Sequence, residues 1–427
     1  MDIRKAHFIG IGGIGISAIA RMMLGEGKEV SGSDVSRSEI IDELEKLGAK
    51  IYFGHDEKNL KDVDLVVYTP AVKENNPELV KAKKLGIQTL SYPEMLGIIS
   101  RDKYTIAVSG AHGKTTTTAM IGTILKDSGL DPTIIVGSLL KDSKSNFVAG
   151  RRKYFVVEAC EYKKSFLNIN PKIIVITNID NDHLDYYGNV RNIQKAFSEF
   201  VSKLTSEDYL VCNPRGRYLD SVVKNAKCKI VDYTKSPRNL KLKVVGDHNL
   251  DNAQAAFAVA KILKVKESEA RKSLENFSGT WRRFEYKGKT RSGAYVYDDY
   301  GHHPTEIKAT LAGARQAFPH SAIFCIFQPH LYSRTKLLLN DFSKSFNDAD
   351  AVLVADIYAA REKDDGTHST QLVNKMKKFH KNVRYVDSFN NAASVLILEP
   401  KKGDIILTMG AGDIYKVGDL LLGALTR

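Results

Sequence analysis

Short apolar runs alternate along this chain with stretches in which apolar residues recur at helical spacing. The opening segment reads as strand His7 to Ile11, helix Gly15 to Gly25, strand Glu29 to Ser33, helix Ser38 to Leu47, strand Leu65 to Tyr68 and helix Pro77 to Leu85. Strands separated by amphipathic helices predict a parallel α/β sheet. A second unit starts with strand Thr105 to Val108 and a glycine-bearing turn. It continues through a helix-compatible run from Ala119 to Leu125, strands Tyr154 to Val157 and Ile173 to Thr177, and a helix from Asn192 to Lys203. A third begins near Gly288, with strand Ala294 to Asp298, helix Thr305 to Ala317, and strands Ala322 to Phe327, Ala351 to Ala355 and Ile405 to Thr408.

Polar breaks at Ser100-Arg101-Asp102 and Ser278-Gly279-Thr280 divide the chain into domains at 1–102, 103–280 and 281–427. The expected fold class is α/β in three domains. The first is Rossmann-like, the second is a phosphate-loop ATPase type with a parallel-rich sheet, and the third is again Rossmann-like.

Composition narrows the class. Hydrophobic content of 43% and charged content of 26% are those of a soluble globular protein. No apolar run approaches the roughly 18 residues of a membrane span, and the chain enters its first strand without a secretory apolar segment, so a cytoplasmic protein is expected. The cysteines, Cys160, Cys212, Cys228 and Cys325, are scattered without metal-ligand spacing and read as reduced thiols in packed strands. The net charge of +13 is spread along the whole chain without groove-reading motifs, so no nucleic-acid partner is expected. A basic surface instead suits polyanionic small molecules such as nucleotides. Nothing in the pattern separates a monomer from a homodimer.

The richest stretch is Ser109-Gly110-Ala111-His112-Gly113-Lys114-Thr115-Thr116, between a strand and a helix. Backbone N–H groups at a helix N-terminus point at an anion, and small residues allow its close approach. Gly110 and Gly113 give that approach, Lys114 would reach the β- and γ-phosphates, and the Thr115 hydroxyl would sit on Mg²⁺. Val108 stands where the usual motif has its first glycine, so the loop is a shortened variant.

A second loop, Gly10-Ile11-Gly12-Gly13-Ile14-Gly15, follows the first strand, and Asp34 ends the next. The pattern reports a diphosphate at a helix N-terminus and a ribose nearby. Alone it suggests NAD, and a dehydrogenase or nucleotide sensor would use it. A UDP-linked substrate satisfies it equally, and a nicotinamide enzyme would leave Lys114 and Glu158 idle. Glu158 ends an apolar strand where α/β sheets place ligand-contacting groups, and a carboxylate there can hold Mg²⁺ beside Thr115. The run from Asn178 to Asp185, with His183, falls at the same edge.

These residues resemble the Mur ligase family over essentially the whole chain. The resemblance rests on Gly110 to Thr116, Asn178 to Asp185, His248-Asn249-Leu250-Asp251-Asn252 with Ala255-Ala256, and Arg283 in Arg282-Arg283-Phe284-Glu285. The runs Asp298 to Glu306 and Phe327-Gln328-Pro329-His330 are similar to those of the family's alanine-adding branch. The family's carbamylated lysine has no counterpart in register here, where Phe197 stands at the closest match and Lys195 lies nearby; this favours the same branch. A branch that attaches a recycled peptide to the same nucleotide sugar stays open as the alternative.

The resemblance implies ATP-dependent amide-bond formation in peptidoglycan precursor synthesis, with ATP and Mg²⁺ as cofactors. UDP-N-acetylmuramate and L-alanine would be the substrates, and an acyl phosphate the intermediate. It implies catalytic roles for Lys114, Glu158, His183, Arg283 and His330, and metal binding by Thr115, Glu158 and His183. ATP would be held by Gly110 to Thr116, that is Gly110, Ala111, His112, Gly113, Lys114, Thr115 and Thr116, with His248, Asn252, Arg283 and Asp299. The UDP-sugar and the reacting groups would meet Gly12, Gly13, Ile14, Asp34, Tyr300, His302 and Arg334. Leu331 stands where close relatives often carry arginine, which leaves Arg334 as the remaining cation of that run.

Overall fold

The computed structural model describes residues 3–141, 143–360 and 362–423. The chain divides into two compact units, Met1–Leu240 with Asp251–Phe277, and Lys241–Leu250 with Ser278–Arg427. Residues 241–250, which the sequence breaks leave in the central domain, thus pack with the second unit.

The first unit holds two sheets. In the first sheet, β1 (Lys5–Ile9), β2 (Glu29–Asp34), β3 (Lys50–Phe53), β4 (Leu65–Tyr68) and β5 (Gln88–Ser91) lie in the order β3-β2-β1-β4-β5, all parallel. Ile9 pairs with both Ser33 and Tyr68, so Gly10, Asp34 and Thr69 leave the sheet at one carboxyl edge. Four-residue edge strands β3 and β5 carry half-exposed side chains and no apolar run, which is why the hydrophobic pattern does not show them.

The second sheet orders β6 (Tyr104–Ser109), β7 (Thr133–Leu140), β8 (Ser145–Val148), β9 (Tyr154–Glu158), β10 (Ile173–Ile176), β11 (Tyr209–Cys212) and β12 (Lys229–Asp232) as β12-β11-β10-β6-β9-β7-β8. All neighbours are parallel except the antiparallel β7 and β8 pair. The centre is fully buried, as continuous runs such as Ile173-Ile-Val-Ile176 require when helices cover both faces. Val108 pairs with both Val175 and Glu158, which brings the phosphate loop, Glu158 and the Asn178 run to one edge. Asn146 of β8 donates to Ser17 Oγ at 2.9 Å and to the carbonyl of Ile14, tying this sheet to the first helix of the first sheet.

In the second unit, β13 (Glu285–Lys289), β14 (Tyr295–Asp299), β15 (Ile323–Phe327), β16 (Ala351–Val354), β17 (Val383–Tyr385) and β18 (Ile405–Met409) run in the order β13-β14-β18-β15-β16-β17. Only β13 is antiparallel to its neighbour. Met409 faces Asp299 on one side and Phe327 on the other, so the segments after β14 and β15 leave side by side.

Two expectations need correction. The helix after the phosphate loop begins at Lys114 and runs to Asp127. Its start is hidden by four consecutive threonines, whose β-branching lowers helix propensity; burial of all four and the loop's own geometry override that preference. Of the cysteines, Cys212 and Cys325 are buried in β11 and β15, but Cys160 lies beyond the end of β9 and is exposed, and Cys228 precedes β12. Among the described residues no helix is long and apolar enough to cross a membrane.

Candidate active site

The phosphate loop is shaped by two glycines. Gly110 and Gly113 adopt φ of 131° and 83°, and a Cβ at either would collide with the Thr177 hydroxyl or with Asn252. Gly113 caps the Lys114–Asp127 helix without any side-chain cap, so the first backbone N–H groups remain for an anion. Asn178 grips the loop from β10: its Oδ1 accepts the His112 N–H at 3.0 Å, its Nδ2 donates to the His112 carbonyl at 3.0 Å, and its carbonyl accepts from Ala111. His112 Nε2 lies 3.1 Å from Asp180. Thr116 is buried, and Asn252 accepts a hydrogen bond from Thr117 at 3.1 Å, next to Gly113.

Lys114 bends back over the loop, donating to the Gly110 carbonyl at 2.5 Å, the Ala111 carbonyl at 3.2 Å and Glu161 Oε1 at 3.0 Å. Burial alone would lower its pKa, but the carboxylates, Glu161 foremost with Glu158 and Asp182, outweigh burial and raise it, so the ammonium stays charged. Thr115 Oγ1 donates to Glu158 Oε2 at 2.9 Å, and the Gly137 N–H donates to the same oxygen at 2.9 Å.

Beside this pair, His183 Nε2 lies 3.8 Å from Glu161 Oε1 and 3.7 Å from Asp182 Oδ2. Glu161, Asp182 and His183 each offer a ligand atom within 4.8 Å of the others. His183 itself sits at φ 53°, a left-handed conformation uncommon away from glycine, at the entry to the Leu184–Tyr187 helix. Glu161 is 3% exposed, and its Oε2 has no hydrogen-bond partner. A buried carboxylate oxygen left without a partner costs free energy, and a cation would relieve that cost. Carboxylate and hydroxyl oxygens with one imidazole suit a hard divalent ion, so the residues present fit Mg²⁺.

In the first sheet, a cavity of about 680 Å³ opens over the carboxyl edge, lined among others by Gly10, Gly12, Gly13, Asp34, His55 and Asn76. Asp34 accepts the Gly12 N–H at 2.9 Å and the Val35 N–H at 2.7 Å. Ile14 is the first residue of the Ile14–Gly25 helix, whose N-cap Gly13 again uses no side chain. The glycine loop and Asp34 thus share one cavity.

The second unit gathers the other residues singled out from the sequence. Tyr300 and His302 rings lie 5.4 Å apart, His302 and His330 5.8 Å, and His330 stacks on Tyr358 at 5.8 Å. Arg334 reaches His330 Nδ1 at 3.1 Å. A guanidinium only donates, so His330 Nδ1 is the acceptor and the neutral ring carries its proton on Nε2. Leu331, beside it, is buried with φ 71°, a strained conformation for leucine.

The arginine pair divides its work. Arg282 is buried, bonded to Asp298 at 2.7 Å and to the carbonyls of Gly412 and Gly410. Arg283 is 30% exposed, lies over the Tyr300 ring at 5.3 Å and has Glu306 at 3.9 Å. Asp299 is buried, accepting from the backbone of Gly301 at 2.8 Å and Phe284 at 2.8 Å and from Thr310 at 3.3 Å. His303 and Pro304 open the Pro304–Ala317 helix as N-cap and first residue, with Glu306 completing a capping box. His248 lies on the Asp247–Ile262 helix one turn before Asn252, but among the residues that pack with the second unit.

Comparison with known proteins gives three family matches: the Mur ligase family, catalytic domain, over residues 5–104; the Mur ligase middle domain over 108–240; and the Mur ligase, glutamate ligase domain over 282–412. A UDP-N-acetylmuramate--L-alanine ligase of Clostridium tetani is 45% identical to this chain, covering 98% of each. This chain belongs to the Mur ligase family. A protein of the same description from Acetivibrio thermocellus is 44% identical over 98% of this chain and 96% of its own. Among solved structures, the UDP-N-acetylmuramate-alanine ligase of Thermotoga maritima superimposes with a TM-score of 0.84 at 29% identity, covering 99% of each chain. A murein peptide ligase of Psychrobacter arcticus shares the fold, with a TM-score of 0.73 at 23% identity over 99% of each.

Within this Mur ligase, sequence reasoning missed two groups. Glu161 stands three residues after Glu158 with no motif to mark it, and its pairing with Lys114 spans 47 positions. Tyr358 lies in a loop after β16, and only the parallel bridge between His330 and Tyr358 brings it to the histidines.

Proposed function

We propose that this chain joins L-alanine to the lactyl carboxylate of UDP-N-acetylmuramate, converting ATP to ADP and phosphate, in peptidoglycan precursor synthesis in the cytoplasm. The observation that carries the reading is the Thr115 to Glu158 contact at 2.9 Å beside Lys114, at the mouth of a phosphate loop. That arrangement serves phosphoryl transfer, and the whole-length identity to alanine ligases supports this substrate pair.

A carboxylate is a poor electrophile, and its oxygen is a poor leaving group. The lactyl carboxylate oxygen attacks the γ-phosphorus, ADP departs, and an acyl phosphate forms. The amino group of L-alanine then adds to the acyl carbon; phosphate leaves with the C–O electron pair, and the nitrogen loses its proton as the amide forms. Anionic reactants demand charge neutralisation and positioning above all. Lys114 supplies charge at the β- and γ-phosphates, and the N–H groups after Gly113 cradle them. Arg283 adds a second cation. Thr115 and Glu158 would hold Mg²⁺, with His183, Asp182 and Glu161 as a neighbouring set. When bound, the ion neutralises phosphate charge.

The nucleotide sugar takes the first-sheet cavity, with its diphosphate on Gly12, Gly13 and the N-terminus at Ile14, and a ribose at Asp34. Asn252 and His248 serve the adenine, and Asp299 the ATP ribose. Tyr300, His302, His330 and Arg334 hold the reacting carboxylate and the amino acid. The domains carrying these roles are 1–102, 103–280 and 281–427.

Phosphate release from ATP and Mg²⁺ with UDP-N-acetylmuramate tests the reading, with L-alanine set against the tripeptide L-Ala-γ-D-Glu-meso-diaminopimelate. Turnover with alanine alone is expected. Turnover with the tripeptide alone assigns the chain to peptide recycling instead.

A further inference from the structure

Glu78 is completely buried in the first sheet's domain, yet it is ringed by polar groups. Its carboxylate accepts from Ser33 Oγ at 2.6 Å and Asn59 Nδ2 at 2.7 Å, and lies 3.0 Å from His55 Nδ1 and 3.5 Å from the buried His7 Nε2. Burial pushes this carboxyl up, but the nearby His7 imidazole and the hydrogen bonds from Ser33 and Asn59 pull it below its ordinary value, so Glu78 is ionised. An anion sealed inside a domain needs a reason beyond packing, since replacing such a group by an apolar one is often neutral or stabilising.

The reason lies at the cavity. His55 follows β3 and is the one member of this network that lines the 680 Å³ cavity. An ionised carboxylate has no proton to give, so His55 Nδ1 is the donor, and Ser33 Oγ at 2.9 Å shares that proton. In the neutral ring the lone pair is then on Nε2, the nitrogen away from the carboxylate. Strand order places this acceptor. A diphosphate at the glycine loop would stand over β1 and a ribose at Asp34 over β2, and a base continuing in that direction would reach the end of β3, about 10 Å from β1 across two strand spacings.

We propose that Glu78 is a positioning residue that fixes the His55 tautomer, and that His55 Nε2 accepts the N3–H of uracil and so selects uridine over cytidine nucleotides. The inference rests on the reading that this cavity takes the uridine nucleotide. Uracil carries a proton at N3 and cytosine a lone pair, so a fixed acceptor rewards one and repels the other.

Calorimetric titration of the full chain at about pH 8, where an ordinary imidazole is neutral, tests it with UDP, CDP and N3-methyl-UDP. UDP is expected to bind at least about 10-fold more tightly than either of the others, the value of one hydrogen bond lost to a buried partner. His55→Ala should weaken UDP and reduce the preference over N3-methyl-UDP to below about 2-fold. In ¹⁵N spectra the His55 ring, identified by its loss in His55→Ala, should show the Nδ1–H form, and Glu78→Gln should shift it toward a tautomer mixture while the preference falls. Equal binding of UDP and N3-methyl-UDP by the wild-type chain overturns the proposal while leaving the cavity's assignment intact. Failure of UDP to bind at all overturns that assignment and the proposal with it.

Discussion

Lys114 Nζ lies 3.0 Å from Glu161 Oε1, and the same carboxylate closes a cluster with Asp182 and His183. The cation expected at the γ-phosphate is therefore held by an anion that also belongs to a cluster able to ligate a metal ion. Under the proposed function, ATP would draw Lys114 from Glu161, and Glu161, Asp182 and His183 would hold an ion whose charge compensates the carboxylate left behind.

Lys114→Ala removes the charge and leaves Glu161 without its main partner. Phosphate release should fall by at least about 10²- to 10³-fold, as for loss of one preorganised charged donor. The glycine-loop cavity belongs to a different sheet, so UDP-N-acetylmuramate affinity should be unchanged by calorimetry. Loss of nucleotide-sugar binding in this variant would refute the assignment of two separate diphosphate sites.

Glu161→Gln keeps the shape and removes the charge. Breaking one side of a buried pair should lower unfolding stability by about 3 kcal/mol in urea titration. If Glu161 also serves the ion, Mn²⁺ affinity measured by electron paramagnetic resonance should drop by about 10-fold or more. Destabilisation with unchanged Mn²⁺ binding would confine Glu161 to holding Lys114.

Arg334 fixes His330 through its donor to Nδ1. A charge-assisted hydrogen bond contributes about 1.5–3 kcal/mol, so Arg334→Ala should reduce kcat/KM by about 10- to 100-fold. Arg334→Lys should recover only part, because a lysine cannot present the planar fork. If both variants keep wild-type kcat/KM for alanine and for UDP-N-acetylmuramate, Arg334 is a structural residue of its helix.

How much of the fold the amino-acid sequence displays follows from its physics. Central strands such as Ile173–Ile176 are buried on both faces and advertise themselves as apolar runs, and glycine loops advertise themselves by residue type. Edge strands Lys50–Phe53 and Gln88–Ser91 face solvent in part and carry no such signal. Likewise Lys114, Thr115 and Glu158 could be named because each sits at the end of a recognisable element. Glu161, Tyr358 and the Glu78 network act through long-range register, which one chain's pattern does not display. The arginine pair shows the remaining gap: adjacent residues of the same type divide into a buried brace, Arg282, and a more exposed cation, Arg283, only because β14 and the segment after β18 surround the first.

Asp299 supplies a pH signature. Burial raises its pKa to about 6 from the ordinary 3.8, against the lowering effects of Arg283 and the N–H groups of Phe284 and Gly301. Between these values the folded state keeps a proton that the unfolded chain has released. Stability from this group is therefore full below about pH 4, falls as pH rises to about 6, and is level above. The loss amounts to at most about 3 kcal/mol. A carboxamide cannot titrate, so Asp299→Asn, although less stable overall because its amide faces backbone N–H donors, should lack this slope. Urea unfolding of both proteins from about pH 4 to about pH 7 reads the difference, and the gap between them should shrink with rising pH. Parallel curves across that window would mean that Asp299 is ionised throughout, and that the backbone N–H groups around it outweigh its burial.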